Sequence, residues 1–188
     1  MSLDKVEQNG TPLKVVSEGA AHFITLQEKQ EIGEDYSIVL TFSGKPQEAK
    51  NAPWDGGFSW KKDGNGKPFI ATSNQGIGAS IWWPNKDHAY DEPDNGMTMA
   101  FTAPAELTVV GNGRLVKTED NGNTKTWHWQ VVNPINNYGV NINIGDYVNF
   151  SEAYDGEKGA LDMDYWVLSE NLEKAKSQFK QAPKMMEA

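Results

Sequence analysis

The chain has 188 residues, no cysteine, and 26 acidic against 17 basic residues, for a net charge of -9. That length suits one domain whose core needs no covalent staple. The missing cysteines exclude a disulfide framework and any cysteine-held zinc or iron–sulfur centre. The acidic balance argues against a phosphate backbone as main partner, and no apolar run approaches the ~20 residues of a membrane span.

The opening Met1 to Gly10 is polar, has no secretory signal pattern, and its Met-Ser-Leu is compatible with a cloning remnant. The first strand pair is expected near Leu13. From there the period is 2 almost throughout. Tyr36, Ile38, Leu40 and Phe42 share one face of a strand, and Met97, Met99 and Phe101 share one face of another. Leu107–Val110 reads as a strand, and Trp127, Trp129 and Val131 face oppositely to Thr126, His128 and Gln130. Val140, Ile142 and Ile144 alternate with Asn141 and Asn143, and Leu161, Met163, Tyr165 and Val167 alternate with Asp162, Asp164 and Trp166. Asp63-Gly-Asn-Gly66, Asp120-Asn-Gly-Asn123 and Asp155-Gly156 supply turns, because Asn and Gly accept positive φ. Seven or eight such strands predict an all-β, antiparallel sandwich or saddle-like sheet.

After Leu168 the period changes. Leu172, Ala175, Lys176 and Phe179 recur at helical spacing, with Ser169 as the expected N-cap and Pro183 as a stop or kink. The division expected is a β domain over 1–168 and a short C-terminal helix over 169–188. The helix's narrow apolar face implies a partner beyond Ala188, so the chain reads as a piece of a longer protein.

The densest chemistry lies in Ile81-Trp-Trp-Pro-Asn-Lys-Asp-His-Ala-Tyr-Asp-Glu-Pro-Asp-Asn-Gly-Met97. Asp87, His88, Asp91, Glu92 and Asp94 could hold a cation, but their spacing matches no calcium loop, and the two prolines read as a built turn. None of His22, His88 and His128 begins an H-E-x-x-H pair. Gln75-Gly-Ile-Gly-Ala79 lacks the features of a phosphate loop, and no serine sits in G-x-S-x-G. Seven tryptophans and six tyrosines keep a carbohydrate-binding module open as an alternative. In an extended segment Trp82 and Trp83 cannot both point inward, so one is expected in the core and the other over a loop or neighbouring domain.

Thr72-Ser-Asn-Gln75, Trp82-Trp-Pro84, Asp91-Glu-Pro93 and several neighbouring segments together resemble the bacterial branch of the aminopeptidase N and leukotriene hydrolase family of zinc metallopeptidases. The family's N-terminal β domain carries a T-Q segment that leads to F-P-x-x-D-E-P. Here Thr72-Ser-Asn-Gln75 leads through Gly-Ile-Gly-Ala-Ser-Ile to Trp82-Trp-Pro84 and on to Asp91-Glu-Pro93. Pro53-Trp-Asp-Gly-Gly-Phe58, Val109-Val-Gly-Asn-Gly-Arg-Leu115, Asn133-Pro-Ile-Asn-Asn-Tyr138 and Asn141-Ile-Asn-Ile-Gly-Asp-Tyr147 follow the same order. The family's arginine before F-P is absent, and six residues separate Pro84 from Asp91. Its first strands are expected to be missing, and its H-E-x-x-H and G-x-M-E-N segments are absent.

The resemblance implies a division of labour. This chain would be a non-catalytic N-terminal fragment of an aminopeptidase that removes residues from peptide amino ends. It would cover the active-site cleft, and Gln75 would bind the substrate's first side chain. No catalytic or metal-binding residue is expected in this chain, and no cofactor; zinc would sit in the parent's catalytic domain. The partners implied are that catalytic domain of the same polypeptide and a peptide substrate. The compartment is open, with export to periplasm or cell surface compatible.

Overall fold

The structure is a computed structural model and describes residues 1–187. Fourteen strands are present among these residues, every ladder antiparallel, which matches the all-β expectation in kind and exceeds it in number. They form two packed layers around an aromatic core, flanked by an N-terminal sheet and a C-terminal hairpin.

One layer is a three-stranded sheet in the order β10 (Arg114–Asp120), β11 (Thr124–Val131), β8 (Met97–Pro104). The other is four-stranded, in the order β6 (Gly57–Lys62), β7 (Pro68–Ser73), β12 (Ile142–Gly145), β9 (Thr108–Gly111). Between them lie Phe58, Ala103, Val109 and Ile142 in one cluster, and Met99, Trp129, Val131 and Val140 in a second. Alternation puts these residues there: Met97, Met99, Phe101 and Ala103 face inward while the residues between them are exposed. Trp129 is 3% exposed, and its indole Nε1 donates to the Val109 carbonyl at 3.1 Å, so the polar end of the ring is satisfied inside the core.

Two of the three predicted turns form as read, while Asp155 and Gly156 are instead the last residues of a strand. Asp63 Oδ1 accepts from the amides of Asn65 and Lys67, and Gly66 takes φ 80°, closing β6 onto β7. Asp120 Oδ1 accepts from the Gly122 amide, and Gly122 takes φ 82°, closing β10 onto β11. The β13 (Tyr147–Gly156) and β14 (Gly159–Leu168) hairpin turns just after Asp155-Gly156. Trp166 of β14 meets Trp127 and Trp129 edge-on at 6.5 and 5.7 Å, seating the hairpin base against the core.

The N-terminal region differs from the reading. Ser2–Gln8 forms a strand, β1, paired with β2 (Thr11–Pro12) and β5 (Val39–Ser43). A register shift between Leu3 and Lys5 breaks its alternation, so its pattern reads as merely polar. The pair expected near Leu13 is β3 (Lys14–Glu18) with β4 (Ala21–Thr25). Tyr36 and Ile38 lie outside β5, and the Tyr36 hydroxyl instead accepts from the Glu31 amide at 3.1 Å.

The C-terminal segment also corrects two expectations. Ser169 does not cap the helix: its hydroxyl donates to Asp146, and α1 (Leu172–Gln178) begins after a short 3₁₀ turn. The apolar face has its partner within the chain. Phe179 stacks on Phe150 and packs on Tyr165, with ring centroids 6.2 and 5.2 Å away. Glu170 Oε1 accepts from the Gly64 amide at 3.0 Å, and a Cβ on Gly64 would come 2.0 Å from Glu170 Oε2. Pro183 lies in the first turn of α2 (Ala182–Met186), where its missing amide costs no helical bond.

Candidate functional site at one end of the sheet

The antiparallel order of β6, β7, β12 and β9 brings the start of β6, the end of β7, the start of β12 and the end of β9 to one end of the sheet. Three connections gather there: residues 50–56, 74–78 and 137–141. Gln75 lies two residues past the end of β7 and is exposed. Its side chain is not loose, because the Tyr138 hydroxyl donates to Gln75 Oε1 at 3.0 Å.

Each connection is pinned by side chains. Asn74 is 7% exposed, and its Nδ2 donates to the carbonyls of Tyr138 and Val140 at 2.7 and 3.1 Å. Buried carbonyls need such partners, so Asn74 fixes the end of β7 to the 3₁₀ turn Asn137–Gly139. The turn after Gln75 closes by Gly78 N to Asn74 O at 2.9 Å, with Gly76 and Gly78 both at φ 76°. Asp55 accepts from the amides of Lys50 and Asn51, and Ser73 Oγ donates to the Pro53 carbonyl at 2.9 Å, so the Trp54 loop sits beside β7. Gly56 lies against the same turn; a Cβ there would come 2.1 Å from Ile77 Cγ1 and 2.8 Å from Gln75 O.

The edge is amphipathic. Trp54 is 77% exposed, Tyr138 48% and Ile77 38%, each on one of the three connections gathered at this end. Trp82 and Trp83 do not belong to this surface. They follow the 3₁₀ turn Ala79–Ile81, are not extended, and both pack on the core. The expectation that one turns outward fails because a turn, unlike a strand, places successive side chains on neighbouring directions.

The acidic loop folds beside this edge. Ser80 donates to Asp87 at 3.4 Å, Lys86 pairs with Asp91 at 3.2 Å, and His88 Nδ1 accepts from the Tyr90 amide at 3.2 Å. Asn137 Nδ2 donates to the Lys86 carbonyl at 2.6 Å, tying the loop to the Tyr138 turn. His22 contacts Ser17 on the β3–β4 hairpin, and His128 Nε2 lies 3.4 Å from Glu119 on the β10–β11 pair, so the three histidines share no site. The Lys117 ammonium, with His128 second, holds the Glu119 carboxyl below its ordinary range. Among the described residues no three His, Asp or Glu side chains cluster as a metal site.

Asn74, Trp54 and Tyr138 escaped the reading of the sequence as site residues. All three lie in segments that carry the family resemblance, which was the one available signal.

No protein-family model matches the sequence. No curated protein matches it either. Solved structures match its fold. The M1 zinc metallopeptidase of Deinococcus radiodurans is 16% identical and aligns over 89% of this chain and 38% of its own, with a TM-score of 0.72. Aminopeptidase A of Legionella pneumophila, solved in complex with aspartic acid, is 17% identical over 93% of this chain and 20% of its own, at 0.64. Yeast LTA4 hydrolase is 16% identical over 97% of this chain and 27% of its own, at 0.64. The fold is thus that of the N-terminal domain of M1 zinc aminopeptidases, and the chain spans well under half the length of each of these structures.

Proposed function

We propose that this chain is the non-catalytic, substrate-side domain of a zinc aminopeptidase that trims residues from peptide amino ends. The observation that carries the reading is the agreement of two independent signals. The fold aligns with the two-domain metallopeptidase over 89% of this chain, and the sequence segments resembling that family converge on one pinned edge around Gln75.

The zinc chemistry belongs to another domain. On this reading, what the residues of this chain supply is surface and hydrogen bonds. Residues 1–168 form the β domain and 169–188 lead on toward the catalytic domain. The partner docks on the edge that exposes Trp54 and Ile77, where burying apolar area stabilises the pair at about 25 cal/mol per Å². Gln75 then lies at the rim of the cleft, where its amide meets the substrate's first side chain.

The test uses the purified chain with aminoacyl p-nitroanilides and added zinc. The proposal expects no turnover. Zinc-dependent turnover by this chain alone contradicts it. Soluble glycans titrated against tryptophan fluorescence check the carbohydrate-module alternative, which expects saturable quenching where the peptidase reading expects none.

A further inference from the structure

We infer that the cavity between the β1–β2 turn and the segment joining β4 to β5 is a binding site for a small primary amine that also carries a hydroxyl or carbonyl oxygen. The site is independent of the aminopeptidase reading and lies on different elements from the Gln75 edge. The cavity measures about 200 Å³, and Gln8, Glu28, Asp35 and Tyr36 are among its lining residues. That is below the ~300 Å³ at which pockets for drug-sized ligands begin, so it suits a molecule of a single ring or smaller.

Gln8 supplies a hydrogen-bond donor. It ends β1 and is 4% exposed. Its Oε1 accepts from the Gln27 main-chain amide at 3.0 Å. A main-chain N–H can only donate, so this bond fixes which end of the side-chain amide is the oxygen. Nε2 is the other end. It has no partner among the described residues, yet it is not sealed inside the protein. The little surface that Gln8 keeps therefore includes this nitrogen, and it lines the cavity. A desolvated donor is costly to leave unpaired, and a ligand oxygen satisfies it.

The connection from β4 to β5 supplies the charge. Gln27 ties its start to Gln8, and nearer its end the Tyr36 hydroxyl accepts from the Glu31 amide at 3.1 Å. The Glu34 amide donates to the Glu31 carbonyl at 3.3 Å, closing a turn within it. Held this way, the segment brings Glu28 and Asp35 to the cavity, and neither pairs with a base among the described residues. Two unpaired carboxylates favour a cation. The Gln8 protons disfavour a bare metal ion, because calcium needs an oxygen where this amide presents hydrogens. An ammonium for the acids and an acceptor oxygen for Gln8 meet both demands.

The experiment titrates small probes into the isotope-labelled chain and follows amide chemical shifts. Glucosamine carries both features, glucose lacks the ammonium, and cyclohexylamine lacks the oxygen. Glucosamine should bind with a Kd of about a millimolar, as expected for so small a ligand, with shifts concentrated in residues 8–9, 27–28 and 35–37. Glucose and cyclohexylamine should each bind about fivefold more weakly or worse. Alaninamide presents ammonium and carbonyl as a peptide's amino end does. If it binds more tightly than glucosamine the site is for amino-acid amines, and in the reverse order it is for amino sugars; either order supports the inference. Glu28→Gln and Asp35→Asn alter exposed side chains, and each should weaken glucosamine about threefold, with raised salt acting in the same direction. Gln8→Met, close in length, should erase the preference for glucosamine over cyclohexylamine. If that variant does not fold, the two acid variants and the cyclohexylamine comparison decide. No shift in these residues with either glucosamine or alaninamide well above millimolar overturns the inference. So does glucose binding as well as glucosamine, indifference to both acid variants, or a response to calcium alone.

Discussion

Asn74 donates its side-chain amide to the main-chain carbonyl of Tyr138 at 2.7 Å, joining two segments 64 positions apart in sequence. A second bond from the same nitrogen reaches the Val140 carbonyl. One buried side chain therefore sets the spacing between the turn that bears Gln75 and the turn that bears Tyr138. Replacing it with alanine deprives two carbonyls, that of Val140 buried and that of Tyr138 part-buried, of this partner. Asn74→Ala should cost about 2 kcal/mol of stability, read as a fall of roughly 4–8 °C in Tm. Chemical-shift changes should concentrate in residues 74–78 and 137–140.

Gly56 makes a separate prediction about the same edge. A methyl group there meets Ile77 Cγ1 at 2.1 Å and the Gln75 carbonyl at 2.8 Å. The isoleucine can swing aside, but the carbonyl belongs to a closed turn. Gly56→Ala should displace Gln75 at a cost of about 1–3 kcal/mol, seen as amide shifts centred on Gln75 and Ile77. A variant whose Gln75 resonances stay in place would contradict the packing described.

Asp146 carries an acid-side prediction. Lys67, and after it the Ser169 hydroxyl, hold its carboxyl below the usual aspartate range. A depressed folded pKa contributes stability that is present above the unfolded value, 3.8, and is lost as pH falls through the lower folded value. Urea midpoints should therefore drop more steeply below about pH 4 in the native chain than in Asp146→Asn. Because this residue ties β7 and β12 to the C-terminal segment, the extra loss should appear first in residues 169–181.

Tyr165 predicts the opposite limb. Desolvation, and then its bond to Glu152 at 2.7 Å, push its hydroxyl up to about 12. A raised folded pKa contributes stability that is complete below the unfolded value of 10.0 and is lost as pH rises toward the folded one. Absorbance at 295 nm should show late tyrosine ionisation, to which Tyr147 contributes through burial as well as Tyr165, and Tyr165→Phe should remove one late step and flatten stability between pH 10 and 12.

Phe179 tests the docking of the helix. Its ring stacks on Phe150 and packs on Tyr165, both on the β13–β14 hairpin. Phe179→Ala should cost about 2 kcal/mol, less than a fully buried phenylalanine because this ring is half-buried. Hydrogen exchange should quicken across α1 and leave β8 and β11 unchanged.

The strands β8 and β11 were legible because each alternates apolar and polar residues against a buried layer. Others were hidden for identifiable reasons. Arg114–Asp120 is an exposed edge strand with a register shift, so little of it needs to be apolar. Trp82 and Trp83 misled because pattern alone did not reveal a 3₁₀ turn. Phe179 marked the helix's apolar face, but the sequence pattern did not show that the segment folds back onto the hairpin just before it. At the candidate site, Gln75 was singled out only by the resemblance, while Asn74 and Tyr138 make contacts that exist only after residues 74 and 138 meet.

The most direct test of the central claim is the zinc-dependent release of a peptide's first residue by the full-length gene product. The account predicts turnover that a chelator abolishes and zinc restores, with no turnover from residues 1–188 alone. A full-length product that releases no amino-terminal residue under any zinc loading would contradict it, as would turnover by this chain by itself.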